Sequence, residues 1–373
     1  MRWARNRDGW HDTTDSALAA DARLALTVPM RYAAGLSTTK KISKIGLGTW
    51  QFGSREWGYG SAYAQTDAAL IVRRALELGV TLFDTAEMYA FGRSERILGQ
   101  ALAAAPGDGV HPGADVSLTK TAVPPEAAFV ATKIFPVLPL APVVEQRAVG
   151  SANRLGVRTI DLYQVHQPNP VVRDGTTMRG MAALRRVGLV DEVGVSNYSL
   201  ERWRAAEAAL GDRVLSNQVQ YSLVRREPER DLLPYARREG RLIIAYSPLA
   251  QGLLSGRYDV TSRPTGAVRM ANPLFLTENL ARLTPLLDTL REVGAAHGAS
   301  ASQIALAWVI HHPSVVAIPG ASSVAQVESN AAAADIELTD AEYDALTSAA
   351  ENFQPLTGPA SWAAVAAERM RRP

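Results

Sequence analysis

The chain has no cysteine among its 373 residues, which excludes disulfides, thiolate nucleophiles and zinc or iron–sulfur sites built on cysteine. It also lacks an excess of either charge. Its 39 Lys and Arg face 37 Asp and Glu, a formal net charge of +2, so no strong field favours nucleic acid or an anionic membrane. No apolar run approaches the roughly 18 to 20 residues of a membrane span. The opening segment MRWARNRDGWHDTTDSALAADARLALTVPM has no continuous signal-peptide core. These absences predict a small-molecule partner, no nucleic acid, no membrane, no metal and a cytoplasmic location. They leave monomer and homo-oligomer open.

What is present is an alternation of strand-like and helix-like segments, the pattern of a parallel sheet with crossover helices. Eight strands are expected, at IGLGTW (45–50), TLFDTA (81–86), FVATK (129–133), IDLYQVH (160–166), EVGVSN (192–197), SNQVQ (216–220), LIIAYS (242–247) and VVAIP (315–319). Between them, DAALIVRRALELG carries an apolar stripe of Ala68, Ile71, Val72, Ala75, Leu76 and Leu78 that Gly79 stops, and SLERWRAAEAALG runs from an N-cap at Ser199 to Gly211. Eight such units favour a single-domain closed (β/α)₈ TIM barrel over an open doubly wound sheet. The domain is expected over residues 30–350. Residues 1–29 read as a dispensable, disordered extension, and 351–373 as a tail that can cover the active site. The stretches 103–128 and 250–273 are irregular and rich in Gly, Pro or Ala, as functional lids or insertions are.

Asp84, Tyr89, Lys133 and His166 each lie just past one of these apolar runs. In a parallel barrel the carboxyl ends of the strands converge on one pocket, and an acid, a phenol, a cation and an imidazole gathered there can move a proton. A phenol of ordinary pKa about 10 needs help at neutral pH. Lys133 can lower that pKa, and Asp84 can hold the ammonium charged. Each residue taken singly has a structural reading as well: Tyr89 packing a ring, Asp84 capping a turn, Lys133 solvated, His166 opening a loop. Their joint placement on successive strand ends argues for the site.

The chain resembles the aldo-keto reductase family from about Met30 to about Asn352. The phrases IGLGTWQFG, FDTAEMYAFGRSERILG, ATK, IDLYQVHQP, GVSNYS, NQVQYSL, IIAYSPLAQGLLSG and IPGASSVAQVESN stand in the family's order. The resemblance implies NADPH-dependent reduction of an aldehyde or ketone, with a hydride from nicotinamide C4 and a proton from Tyr89. Lys133 and Asp84 would tune Tyr89, and His166 would orient the carbonyl. It also implies cofactor contacts at Gly48, Thr49, Trp50 and Asp84. Ser196, Asn197 and Gln218 would hold the nicotinamide amide, and Tyr246 would stack on the ring. Ser247, Pro248, Leu249, Gln251, Gly252 and Leu253 would form a pyrophosphate strap, with Gly252 allowing close backbone approach. Gly320, Ser322, Gln326 and Asn330 would surround the adenosine end.

Ser322 and Gln326 stand where many family members carry a basic residue, which keeps NADH as an alternative to NADPH; Arg257 or Arg263 on the long loop can supply charge instead. Ser322 also reads as a helix N-cap. Trp50, Tyr59 and Phe135 are the expected substrate walls, with Trp57, Pro136 and Trp362 as further candidates. Two other functions fit parts of the pattern. One is a cofactor-binding regulatory subunit of the potassium-channel β-subunit type; the other is a Schiff-base aldolase using Lys133.

Overall fold

The computed structural model describes residues 4–6, 9–11, 31–33, 36–53, 61–104 and 124–370. Eight strands form one parallel sheet in chain order: β1 (Leu47–Gly48), β2 (Leu82–Asp84), β3 (Phe129–Ile134), β4 (Ile160–Val165), β5 (Val190–Ser196), β6 (Ser216–Gln220), β7 (Leu242–Tyr246) and β8 (Val315–Ala317). The sheet closes on itself. Gly46 N donates to Ala317 O at 2.8 Å, Ala317 N to Lys44 O at 2.9 Å and Gly48 N to Pro319 O at 3.1 Å, with parallel bridges Ile45–Ala317 and Gly48–Gly320. Closure removes both sheet edges and gives a (β/α)₈ barrel.

The outer ring comprises α1 (Ser61–Glu77), α2 (Arg93–Ala103), α3 (Ala141–Leu155), α4 (Asp174–Arg186), α5 (Leu200–Leu210) and α6 (Leu232–Glu239). It continues with α7 (Thr277–His297), α8 (Ala301–His311), α9 (Val324–Ala332) and α10 (Asp340–Glu351). Their ends follow local chemistry. The stripe Ala68, Ile71, Val72, Ala75 and Leu76 of α1 is buried, and the chain leaves that helix through Gly79 at φ 82°. In α5, Ser199 Oγ accepts from Arg202 N at 3.3 Å, and Gly211 ends the helix at φ 72°. No single helix among the described residues is long and apolar enough to cross a membrane.

The two-residue period of the strands sorts the barrel's interior. Leu82, Phe129, Ala131, Leu162, Leu242, Ile244 and Val316 form an apolar inner cluster, each large side chain contributing roughly 1.5–3 kcal/mol on burial. Continuing the same parity toward the carboxyl ends gives Asp84, Lys133, Gln164 and Tyr246, and Gln218 joins them from β6 through its bond to Asp84. An apolar plug therefore supports a polar ring. Gly194 on β5 makes room for that ring, because a Cβ there would lie 2.5 Å from Ser216 Oγ and 2.9 Å from Gln164 Cγ.

Several expectations change. Residues 4–6 and 9–11, within the segment expected to be disordered, pair as an antiparallel ribbon. The stretch 250–273 contains 3-10 turns at Ala250–Ser255 and a short helix at Ala267–Met270. The tail contains a helix, α11 (Gly358–Met370). It is fastened to the β7–α7 connection: Glu368 pairs with Arg263 and accepts from Thr277 N at 3.0 Å, and Leu356 N donates to Asn279 Oδ1 at 2.6 Å. Trp362, on this helix, is 61% exposed. Trp57, Tyr59 and residues 105–123 lie outside the described residues.

Replacing Gly194 with Ala forces a methyl group against Ser216 and Gln164, and overpacking of this kind costs about 1–3 kcal/mol. Urea unfolding of Gly194→Ala should show that loss; wild-type stability would contradict the crowding.

Candidate active site

Lys133 and Asp84 form the centre of the polar ring. The Lys133 side chain is fully buried, and its Nζ lies 2.6 Å from Asp84 Oδ1, 2.7 Å from Thr85 O and 3.3 Å from Tyr89 Oη. These three partners match the three donors of an ammonium. Asp84 Oδ2 accepts from Gln218 Nε2 at 2.7 Å and has a longer contact with Gln164 Nε2 at 3.5 Å. A charged pair persists in a dry interior only when its remaining polar atoms are satisfied in this way.

Tyr89 reaches the pair because the chain turns sharply after β2. Ala90, Phe91 and Gly92 take left-handed φ values of 47°, 55° and 77°, a costly conformation for the two non-glycine residues. The start of α2 anchors that turn. Ser94 Oγ donates to Thr49 O at 2.8 Å and lies 3.0 Å from Thr85 Oγ1. The buried Glu95 accepts from Thr132 Oγ1 at 2.6 Å and Arg154 Nε at 2.5 Å. The motif FGRSERILG thus acts through its Ser and Glu, which tie the turn to β1 and β3 and to α3.

His166 stands edge-on to Tyr89, with ring centroids 5.7 Å apart, and Phe135 stands edge-on to His166 at 6.2 Å. The Trp50 ring is 6.4 Å from Tyr89 and 41% exposed. Trp50, Tyr89, Phe135 and His166 therefore share one mouth. Of the expected walls, only Tyr59 falls outside the described residues.

Burial dominates the electrostatics. It pushes the Tyr89 phenol above its ordinary pKa of 10; Lys133 pulls downward, Asp84 pushes upward, and burial wins. Sequence reasoning identified the direction of the lysine's effect and underestimated desolvation. For Lys133, burial opposes the charge, but attraction to Asp84 and Tyr89 outweighs it and leaves the pKa above the ordinary lysine value. A lysine so held is unsuited to Schiff-base chemistry, which needs the free amine. Burial, helped by Lys133, lowers His166 to about 3, so its imidazole is neutral through the physiological range.

Beside this cluster, Asn197 sits at φ 60°, with its Nδ2 3.0 Å from Ser196 Oγ and its Oδ1 accepting from Tyr246 Oη at 3.1 Å. Ser196 Oγ donates to Gln218 O at 2.8 Å. The strap is folded tightly: Ser247, Gln251 and Gly252 have φ values of 50°, 60° and 90°. Within it, Ala250 N bonds Ser247 O and Gly252 N bonds Leu249 O, each at 2.9 Å. Pro248 lies inside that fold, and Leu253 is fully buried. Arg269 Nε holds Gln251 O at 2.9 Å, and Asn272 Nδ2 holds Gln251 Oε1 at 3.2 Å.

Farther out, Ser322 N and Oγ both bond Gln326 Oε1, at 2.8 and 3.0 Å, and Asn330 Nδ2 approaches Gly320 O at 3.4 Å. The N-cap of α9 is Ser323 rather than Ser322. Arg263 pairs with Glu368 in the tail. Gly48 serves the barrel seam, since a Cβ there would lie 2.8 Å from Ile318 O. Thr49 is buried, and its hydroxyl bonds Asp84 O at 3.0 Å.

The arrangement fits a nicotinamide dinucleotide. His166 Nδ1 and Gln164 Oε1 are buried without hydrogen-bond partners among the described residues, and buried polar groups of this kind ordinarily have a partner, which a polar ligand can supply. The amide and hydroxyl groups of Ser196, Asn197 and Gln218 lie beside them. Gln164 was missed from the sequence. Its signal was parity with Leu162 in IDLYQVH, which places both side chains inside the barrel.

The lowered His166 pKa makes stability pH-dependent. Below pH 6.5 the unfolded chain takes up a proton that the native imidazole refuses until about pH 3, so this contribution weakens as pH falls through that window. His166→Asn should therefore lose less stability between pH 7 and pH 5 than wild type does, as measured by urea unfolding; identical losses would show that His166 titrates normally.

Comparison with known proteins agrees with this geometry. The family model described as the aldo/keto reductase family matches residues 44–351. An uncharacterized oxidoreductase of Mycobacterium bovis is 55% identical over 317 residues, covering 85% of this chain and 92% of the relative. Methylglyoxal reductase YeaE of Escherichia coli is 32% identical over 309 residues, covering 82% and 90%. A crystal structure of an aldo-keto reductase from Klebsiella pneumoniae in complex with NADPH is similar with a TM-score of 0.63 at 27% identity, covering 88% of this chain and 96% of that one. With the barrel and the polar ring already in place, the match over most of its length makes this chain a member of the aldo/keto reductase family.

Proposed function

We propose that the protein reduces a small aldehyde or ketone with NADPH, using Tyr89 as the proton donor. The observation that carries this reading is the placement of a protonated phenol, 3.3 Å from the Lys133 ammonium, edge-on to a neutral imidazole. Methylglyoxal, a small carbonyl named for the Escherichia coli relative, and the NADPH of the Klebsiella structure support the substrate and cofactor classes.

The residues divide the work as follows. Tyr89 Oη donates a proton to the carbonyl oxygen as negative charge builds there. Lys133, fixed by Asp84, stabilises the phenolate that remains. His166 offers its neutral ring N–H to the same oxygen and so sets the carbonyl's orientation. Ser196, Asn197 and Gln218 would hold the nicotinamide carboxamide, Tyr246 would pack on the ring, and the 247–253 strap would lie along the pyrophosphate. Bound NADPH supplies the hydride. Burial, which raises the Tyr89 pKa, keeps the donor form present at neutral pH, and the charge state of His166 does not change between pH 5 and pH 8.

Tyr89→Phe should retain NADPH binding, read by fluorescence quenching, and lose about 10²–10⁴-fold in turnover on a carbonyl panel. The wild-type pH profile of reduction should show no step near pH 6.5. Substantial activity in Tyr89→Phe would remove the assigned role, whereas NADPH retention with no wild-type turnover on any carbonyl would favour the regulatory-subunit reading.

A further inference from the structure

Glu87 lies two residues before Tyr89, yet it belongs neither to the polar ring nor to the strap. Both its carboxylate oxygens are engaged. Oε1 accepts from the backbone N–H of Phe135 and lies 2.5 Å from Arg147 Nη2, while Oε2 accepts from Arg147 Nε at 2.9 Å. Arg147 also donates from Nη1 to Phe135 O at 2.8 Å. One ion pair therefore grips both polar groups of the Phe135 peptide backbone. Glu87 N additionally donates to Lys133 O at 3.3 Å.

This geometry joins three segments that come from different parts of the fold: the turn bearing Tyr89, the loop following Lys133, and α3, which supplies Arg147. The Glu87 side chain is 9% exposed, so the pair is screened less than a surface ion pair would be. The bidentate contact between a planar guanidinium and a carboxylate fixes direction as well as distance. What it fixes is the Phe135 backbone, and hence the ring that stands edge-on to His166. Just beyond, single neutral hydrogen bonds replace the ion pair, from Asn169 Nδ2 to Pro136 O at 2.6 Å and from Thr177 Oγ1 to Pro139 O at 3.0 Å, while Val137, Leu138 and Leu140 are exposed.

We propose that Glu87 and Arg147 are positioning residues that lock Phe135 as a rigid wall of the substrate pocket and thereby set the preference between bulky aromatic and small carbonyl substrates. The inference rests on the reductase reading. A carbonyl with an aromatic substituent reaches Phe135 and gains from a wall held in place. A carbonyl as small as methylglyoxal would need only Tyr89 and His166. Freeing the wall should affect the first and spare the second.

The test compares naphthaldehyde with methylglyoxal in wild type, Glu87→Gln, Arg147→Lys, Phe135→Ala and the double variant Glu87→Gln/Phe135→Ala. Arg147→Lys keeps the charge and loses the fork. Glu87→Gln and Arg147→Lys should each raise KM for naphthaldehyde about tenfold, with kcat and the methylglyoxal constants within about threefold of wild type. Phe135→Ala, which removes the wall itself, should raise the naphthaldehyde KM at least as much, and the double variant should be no worse on naphthaldehyde than Phe135→Ala alone, the non-additivity of residues acting through one another. Equal losses on both aldehydes, or additive losses in the double variant, would overturn the proposal and leave the pair a support of the fold. If Glu87→Gln does not fold, Arg147→Lys and Phe135→Ala carry the same comparison. Should the wild type reduce no carbonyl, the reductase reading fails separately; the lock is then read from the Phe135 amide, whose hydrogen exchange should be slow in wild type and fast in Glu87→Ala, which removes the carboxylate that accepts from it, and equal rates would refute it.

Discussion

The ion pair between Lys133 and Asp84 lies where water cannot screen it, on top of an apolar plug and beneath the mouth of the barrel. Removing one partner of such a pair leaves an uncompensated buried charge, which typically costs 3–5 kcal/mol. Each neighbouring group is arranged accordingly. Thr85 O and Tyr89 Oη complete the ammonium's partners, and Gln218 takes the far carboxylate oxygen. The pair therefore joins β2, β3 and β6 and determines where the phenol must sit. The same burial that makes the pair costly to break keeps Tyr89 protonated and His166 neutral. A single low-dielectric cavity thus holds a protonated phenol beside an uncharged imidazole, groups whose ordinary pKa values differ by more than three units.

Most of this was legible from the chain because strands have a period of two and barrels point their carboxyl ends at one place. Asp84, Lys133 and His166 mark the ends of apolar runs, and parity separates them from outward-facing neighbours such as Thr132 and Tyr163. What parity could not convey was degree. The competition between burial and Lys133 at Tyr89 depends on how dry the site is, which is a property of the packed barrel. The role of Gly194 was hidden for a related reason. A glycine in EVGVSN signals a close approach, but only the closed barrel shows Ser216 and Gln164 as the groups that approach.

The irregular segments were less legible because their order comes from contacts distant in sequence. Arg263 reads as a loose cation in a Gly/Pro-rich loop until Glu368, 105 positions away, pairs with it. Ser322 reads as a helix cap until Ser323 takes that place and Gln326 folds back onto Ser322. Glu87 likewise has its partner, Arg147, on α3, 60 positions away. In each case the composition predicts a polar surface, and the tertiary fold selects the partner.

The seam between β1 and β8 also bears on how the protein is made. Its hydrogen bonds join Lys44, Gly46 and Gly48 to Ala317 and Pro319, bringing together chain segments separated by about 270 residues. Long-range pairings of this kind form late, because the loop-closure entropy precedes the reward. On a ribosome, Asp84, Tyr89, Lys133 and His166 have all emerged well before β8. The nascent chain therefore carries all four of these polar groups for much of its synthesis without the closed barrel that buries them, and the dry surroundings that shift Tyr89 and His166 exist only once the last strand docks.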